Sequence, residues 1–145
     1  MRVADAEAMP FDDHFDLVYS RGVLHHTPDV PQAFREAIRV LKPGGRLKVM
    51  VYHRRSWVAL AAWVRFCLLR GRPLASLCKA VSHVESPGTQ AFTRTEAEML
   101  LVGLEGVEIR SVLTHWDRKW APGISRLIGD RAGWFLLLEG TKPAV

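Results

Sequence analysis

Residues 40–52, VLKPGGRLKVMVY, decide the fold. Leu47 to Tyr52 is a nearly continuous apolar run, the pattern of a strand covered on both faces, as in a parallel sheet. Lys42-Pro43-Gly44-Gly45 just before it ends a helix, because proline removes a backbone donor and glycine permits positive φ. The start of that helix is also marked. Asp29 can cap free backbone N–H groups, Gln32 stands at capping-box spacing, and Pro31 suits the first turn. Ala33, Phe34, Ala37, Ile38 and Leu41 recur at helical spacing and give one apolar face. Upstream lies FDLVYSRGVLHH, residues 15–26, in which Phe15 to Ser20 reads as a short apolar strand. Strand, helix, strand in this order predicts a right-handed βαβ crossover.

Outward from this unit the pattern continues. Trp57 to Leu69 is apolar except for Arg65 and predicts a helix, too short to span a bilayer, ended by Arg70-Gly71-Arg72-Pro73. Residues 74–92 read as a polar excursion containing HVESPGTQAF. A helix is predicted from Thr93 or Thr95, each with a Glu three residues on, with Ala97, Leu100, Leu101 and Leu104 as its apolar stripe. Val107, Ile109 and Ser111 alternate and suggest a strand through Leu113. Residues 115–132 read as a loop rich in Trp, Pro and Gly, and Trp134 to Leu138 as a buried strand that makes a hairpin-like pair with the one before. The expected architecture is an α/β layer fold.

The chain has 145 residues, so it is one domain or part of one. Nearly half of it is apolar, which excludes a disordered chain. The 20 Lys+Arg against 15 Asp+Glu give a net charge of +5. The cations are scattered, with only short clusters such as His53-Arg54-Arg55, and no zinc-finger spacing accompanies them. The composition therefore favours a basic protein surface over a nucleic-acid module. Cys67 and Cys78 form no CxxC and no Cys/His metal pattern; they read as buried free thiols of a reducing cytoplasm, with no metal site. The acidic N-terminal stretch with Asp5, Glu7, Asp12 and Asp13 has no signal-peptide character.

Three strings together carry a family resemblance. VADAEAMPF (3–11), FDLVYSRGVLHH (15–26) and VLKPGGRLKVMVY (40–52) resemble the middle of a class I S-adenosylmethionine-dependent methyltransferase, strongly over Val3–Tyr52 and more loosely beyond. The resemblance implies a partial Rossmann-like sheet with flanking helices, S-adenosyl-L-methionine as cofactor, and a small-molecule methyl acceptor. It places Asp5 as acceptor for the adenine amino group, since a carboxylate offers only acceptors, and the Ala6 N–H as donor to an adenine ring nitrogen. Ser20, at the carboxyl end of its strand, falls where open α/β sheets bind ligands. Arg21, Gly22, Val23 and His25 would line the cleft between cofactor and acceptor. His25 is the candidate general base for acceptors that must lose a proton. A lining role for His25 and His26 is the plainer alternative. Tyr52 and His53 border a substrate pocket or simply pack.

In that family a GxGxG loop and an acidic residue at the end of the second strand precede these motifs, and only four residues precede Asp5 here. The sequence thus predicts the C-terminal portion of one methyltransferase domain over 1–145, lacking the first strands, with 53–92 as a variable helical or insert segment. It also predicts that the strand at 15–20 is left as an exposed apolar edge. Three readings follow: part of a longer enzyme, with the chain alone inactive; one half of a split enzyme or a homo-oligomer; or a stand-alone, non-catalytic interaction protein that no longer binds the cofactor. The helix at 57–69 packs on the sheet or against an absent segment or second subunit. Beside Arg54, Arg55, Arg70 and Arg72 it can also touch a membrane surface.

Overall fold

A computed structural model describes residues 3–12, 14–72, 75–81, 83–120 and 129–144. Strand β1 (Phe15–Arg21) leads through a 3-10 turn (Leu24–His26) into α1 (Val30–Arg39) and then β2 (Leu41–His53). Helices α2 (Trp57–Phe66) and α3 (Leu77–Val81) follow. After them come the two-residue strand β3 (Ala91–Phe92), α4 (Arg94–Met99), β4 (Glu105–Val112), α5 (His115–Trp120) and β5 (Phe135–Thr141). The sheet order is β1-β2-β5-β4, with β3 added to the end of β2.

The βαβ unit forms as its sequence predicts. β1 and β2 are parallel, with Ser20 opposite Val49. Asp29 caps α1 by accepting from the Gln32 N–H at 3.0 Å. The reciprocal half of the predicted capping box is not made, because the Asp29 N–H donates to the Glu7 carboxylate and Gln32 Oε1 accepts from Arg35. The Lys42–Gly45 turn is also more than a helix stop. β2 begins at Leu41, six residues earlier than its apolar run, and the turn sits within it as a bulge that shifts the register against β1. Backbone bonds from Gly44 to Lys142 (2.9 Å) and from Lys142 to Gly45 (2.8 Å) hold that bulge.

The sheet is mixed rather than parallel. β5 lies between β2 and β4 and is antiparallel to both, so the predicted terminal hairpin forms but its second strand, not its first, joins β2. One sheet face is covered. Leu47, Val49, Val51, Leu136 and Leu138 pack there against Val30, Ala33, Phe34 and Ala37 of α1 and Ala97 and Leu101 at α4. The opposite face is covered at one end, where Tyr52 and Trp134 pack on Val58, Ala59 and Val81. The rest is open, a cleft of about 420 Å³ lined by Tyr19, Lys48, Met50, Leu137 and Glu139. β1 is the edge strand in the described sheet, and Leu17 (47%) and Tyr19 (65%) are exposed on it, the apolar edge the sequence predicts.

Other expectations change. The 57–69 helix ends at Phe66, and Leu68–Arg70 tightens into a 3-10 turn closed by Gly71. Arg70 and Gly71 thus end it as read, while Pro73 lies outside the described residues. The 74–92 excursion contains α3 and β3. The helix at Thr93 has the full reciprocal capping box with Glu96 but stops at Met99, so Leu100, Leu101 and Leu104 follow it. The 115–132 stretch is not all loop: α5 occupies its start and a 3-10 turn its end, and 121–128 lie outside the described residues. Cys67 is a buried free thiol; the side chain of Cys78 is outside the described set.

Gly133 tests the packing between β5's entry and β4. A Cβ there would lie 2.3 Å from the Val112 carbonyl carbon and oxygen, so backbone must move. Gly133→Ala is expected to destabilise the fold by about 1–3 kcal/mol, read as a lowered urea midpoint; an unchanged midpoint would contradict this packing.

Candidate functional site at the carboxyl edge of the sheet

The short link from β1 to α1 puts the start of α1 at the carboxyl edge of β1 and β2, where open α/β sheets bind ligands. Glu7 ties the N-terminal segment to the same place. Its carboxylate accepts from the Asp29 N–H at 2.7 Å and its carbonyl accepts from the Gln32 side chain at 3.1 Å. Met9 N–H donates to Glu36, and Arg39 donates to the carbonyls of Met9 and Phe11. Residues 5–9 are thereby laid along α1.

Within that segment Asp5 Oδ1 accepts from the Glu7 N–H at 2.9 Å. Oδ2 has no partner among the described residues, and neither does the Ala6 N–H. Ser20 is buried and its Oγ makes no hydrogen bond. A buried hydroxyl without a partner is costly, so its place at the carboxyl end of β1 marks a position suited to a polar ligand. Asp5, Ala6 and Ser20 therefore lie at one edge of the fold. Gly22 follows with φ +73, a turn that favours glycine, and leaves Arg21 and Val23 exposed beside it.

His25 lies deeper than a sequence alone can tell. It is fully buried, and neither ring nitrogen makes a well-formed hydrogen bond, the Met50 backbone offering only a looser contact. Its ring meets Tyr52 edge-on at 4.6 Å and His26 at 4.3 Å. Burial first, and then the His26 charge, lower its pKa from 6.5 to about 4, against a smaller opposing effect of the Met50 backbone. His25 is thus neutral at physiological pH. Tyr52, also buried, has its pKa raised, first by burial and then by the nearby Glu85 carboxylate. His53 is buried, donates from Nδ1 to the Gly133 carbonyl at 3.1 Å, and has its pKa lowered chiefly by burial.

Residues 85–92 complete the edge. Gln90 N–H donates to the His25 carbonyl at 3.0 Å. Thr89 Oγ1 donates to the Ser86 carbonyl at 2.7 Å, so it accepts from His26 Nδ1 at 3.2 Å, which fixes the proton on that nitrogen. β3 then pairs with Tyr52 and His53. The sequence reads HVESPGTQAF as part of a polar excursion and does not single out Glu85 or Thr89; the groups they face lie far away along the chain, where no local spacing could reveal them. Among the described residues no three His, Cys, Asp or Glu side chains gather to hold a metal ion. The open-face cleft reaches this edge only through Arg21 and Met50.

Residues 1–49 match the family model of a methyltransferase domain. A protein of Escherichia coli (strain K12) called YafE, itself uncharacterized, is 59% identical over 46 residues, 31% of this chain and 22% of that protein. The ubiquinone/menaquinone biosynthesis C-methyltransferase UbiE of Edwardsiella ictaluri is 44% identical over 59 residues, 40% of this chain and 24% of that enzyme. The chain thus spans about a quarter of the length of these curated relatives. The fold is similar to the crystal structure of an S-adenosylmethionine-dependent methyltransferase from Thermotoga maritima, described as a possible histamine N-methyltransferase. The TM-score is 0.65 at 25% identity, over 96% of this chain and 61% of that one. The matched residues 1–49 carry the same edge that the geometry singles out, and over them the chain is similar to S-adenosylmethionine-dependent methyltransferases.

Proposed function

We propose that this chain supplies the adenine-side half of an S-adenosyl-L-methionine site and takes part in methyl transfer to a small-molecule acceptor. The observation that carries the reading is the buried Ser20 Oγ without a partner, at the same edge as the exposed Asp5 carboxylate and the Ala6 N–H, which no described residue engages fully. A carboxylate acceptor beside a backbone donor is the complement of an adenine's amino group and adjacent ring nitrogen. These residues fit the cofactor, whose part in the chemistry is to present a methyl group on a sulfonium. In this reading Asp5 and Ala6 hold the adenine, and Ser20 gives its unpaired hydroxyl to the bound molecule. None of the chain's glycines forms a GxGxG, so these three residues account for the adenine side only.

The family assigns most of the rate to holding donor and acceptor in line, which makes positioning the chain's chief contribution. His25 remains the candidate base for acceptors that must lose a proton. It is neutral and its ring nitrogens make no well-formed hydrogen bond, but a base with a pKa near 4 is weak, so its help is secondary to alignment. Residues 53–92 form the variable segment of the domain, and Glu85 to Gln90 cover His25 from the acceptor side.

The protein as its own cell makes it is the form to assay. Asp5→Ala is expected to weaken S-adenosylhomocysteine binding about tenfold or more and Ser20→Ala roughly three- to tenfold, by calorimetry. Binding unchanged in both variants would sink the assignment. Transfer of label from methyl-labelled cofactor to small molecules of a cell extract tests the activity. Label appearing only in protein or RNA would contradict the acceptor class.

The pH dependence of stability follows from His25. Its folded pKa lies below its unfolded value, so between them the unfolded chain binds more protons and stability rises with pH. Stability should therefore be full above about 6.5 and fall as pH drops toward about 4, with His53 adding in the same direction. His25→Asn should flatten the fall. Equal slopes in urea titrations of the two proteins would show that His25 is not buried neutral.

A further inference from the structure

We infer that the outer face of α2 and the turn after it is a docking surface for an anionic lipid bilayer. The inference is independent of the methyl-transfer reading and rests on a different part of the molecule. α2 buries Val58, Ala59 and Ala62 against the body of the protein. On its other side Leu60 (41%) and Val64 (36%) are exposed one helical turn apart, and Leu68 (43%) and Leu69 (75%) are exposed in the 3-10 turn that follows. A soluble helix places polar residues on that side. Four large aliphatic side chains there form an apolar strip, which marks an interaction surface.

The charge around the strip selects the partner. From Arg54 to Val84 the sequence contains no Asp or Glu, and it contains Arg54, Arg55, Arg65, Arg70, Arg72 and Lys79. Arg55, Arg65, Arg70 and Arg72 are exposed. Arg65 and Arg70 lie over the Phe66 ring, at 5.8 and 5.5 Å from its centre, and so are held beside the strip. α5 packs against α2 and widens the surface. Its exposed Lys119 shares a groove with Ala61, Arg65 and Phe66, and sits over the exposed Trp116 ring at 5.0 Å. Near the other end of the strip Trp57, Leu60 and Leu77 line an apolar cleft of about 220 Å³ with Arg55 at its rim.

An apolar strip bordered by arginines, with an aromatic ring at its margin and no carboxylate along the segment, complements a bilayer of acidic phospholipids. The aliphatic side chains enter the acyl boundary while the guanidinium groups meet phosphates. A nucleic acid would use the cations and leave the strip idle. No described helix is long and apolar enough to cross a membrane, so the contact is a surface one. Because α2 leaves β2 at its carboxyl end, docking would hold the candidate site close to the bilayer.

The test is co-sedimentation of the protein, as its own cell makes it, with vesicles of phosphatidylcholine alone or with one quarter phosphatidylglycerol. The protein should sediment with the acidic vesicles and not with the neutral ones. Leu68→Ser/Leu69→Ser should weaken binding about tenfold or more, and Arg65→Ala/Arg70→Ala by a similar factor. Tyr19→Ser, on β1 and outside the strip, should leave it unchanged. Far-UV circular dichroism identifies any variant that fails to fold, and Leu69→Ser alone, at the most exposed of these positions, then replaces the double variant. The inference is overturned by no binding to acidic vesicles, by binding indifferent to the leucine substitutions, by equal loss in Tyr19→Ser, or by binding to single-stranded RNA in preference to vesicles.

Discussion

The rest of the structure depends on how β2 is paired. It is bonded to β1 on one side and β5 on the other, and its last residues carry β3. The Lys42–Gly45 bulge sets its register on β1, and a shift of one residue would move every side chain to the other face. With the register as it stands, Leu47, Val49 and Val51 enter the core under α1, while Lys48, Met50 and Tyr52 face the other way. The same register brings Ser20 level with Val49 at the carboxyl edge. The candidate polar groups at that edge are thus placed by the strand that forms the core.

That edge contains an unusual share of unsatisfied polar atoms. Ser20 Oγ is buried without a partner, and the buried ring nitrogens of His25 make no well-formed hydrogen bond. Folded proteins pair such groups or remove them, and groups left unpaired in one neighbourhood are a natural signature of a ligand site. The neighbouring contacts are well satisfied by comparison. Thr89 positions His26, and Gly133 positions His53.

The βαβ unit was legible in the sequence because its signals are local. A cap at Asp29, a helical stripe, a stop and a continuous apolar strand need no knowledge of distant residues. The strand order at the C-terminal end was less legible, since nothing in the alternation of 107–113 says which strand of a hairpin joins the sheet. α5 was missed for another reason. Trp, Pro and Gly suggested a loop, yet Thr114 and Asp117 stand at capping-box spacing, and the buried Asp117 carboxylate accepts from the Thr114 N–H (2.6 Å), the Thr114 hydroxyl (2.8 Å) and the Trp134 N–H (3.3 Å). Asp5, Ala6 and Ser20 are candidates that the family resemblance names and no local spacing does. The burial of His25 could not, because Tyr52 and the 85–90 segment that enclose it come from far along the chain.

The account's central claim is that the edge built by β1, α1 and residues 5–9 receives the adenosyl part of the cofactor. A crystal structure of the protein as its own cell makes it, grown with S-adenosylhomocysteine, tests it most directly. The account predicts the adenine amino group within hydrogen-bond distance of the Asp5 carboxylate, a ring nitrogen accepting from the Ala6 N–H, and the Ser20 hydroxyl engaged by the bound molecule. A cofactor bound away from all three, with Ser20 still unpaired, would contradict it.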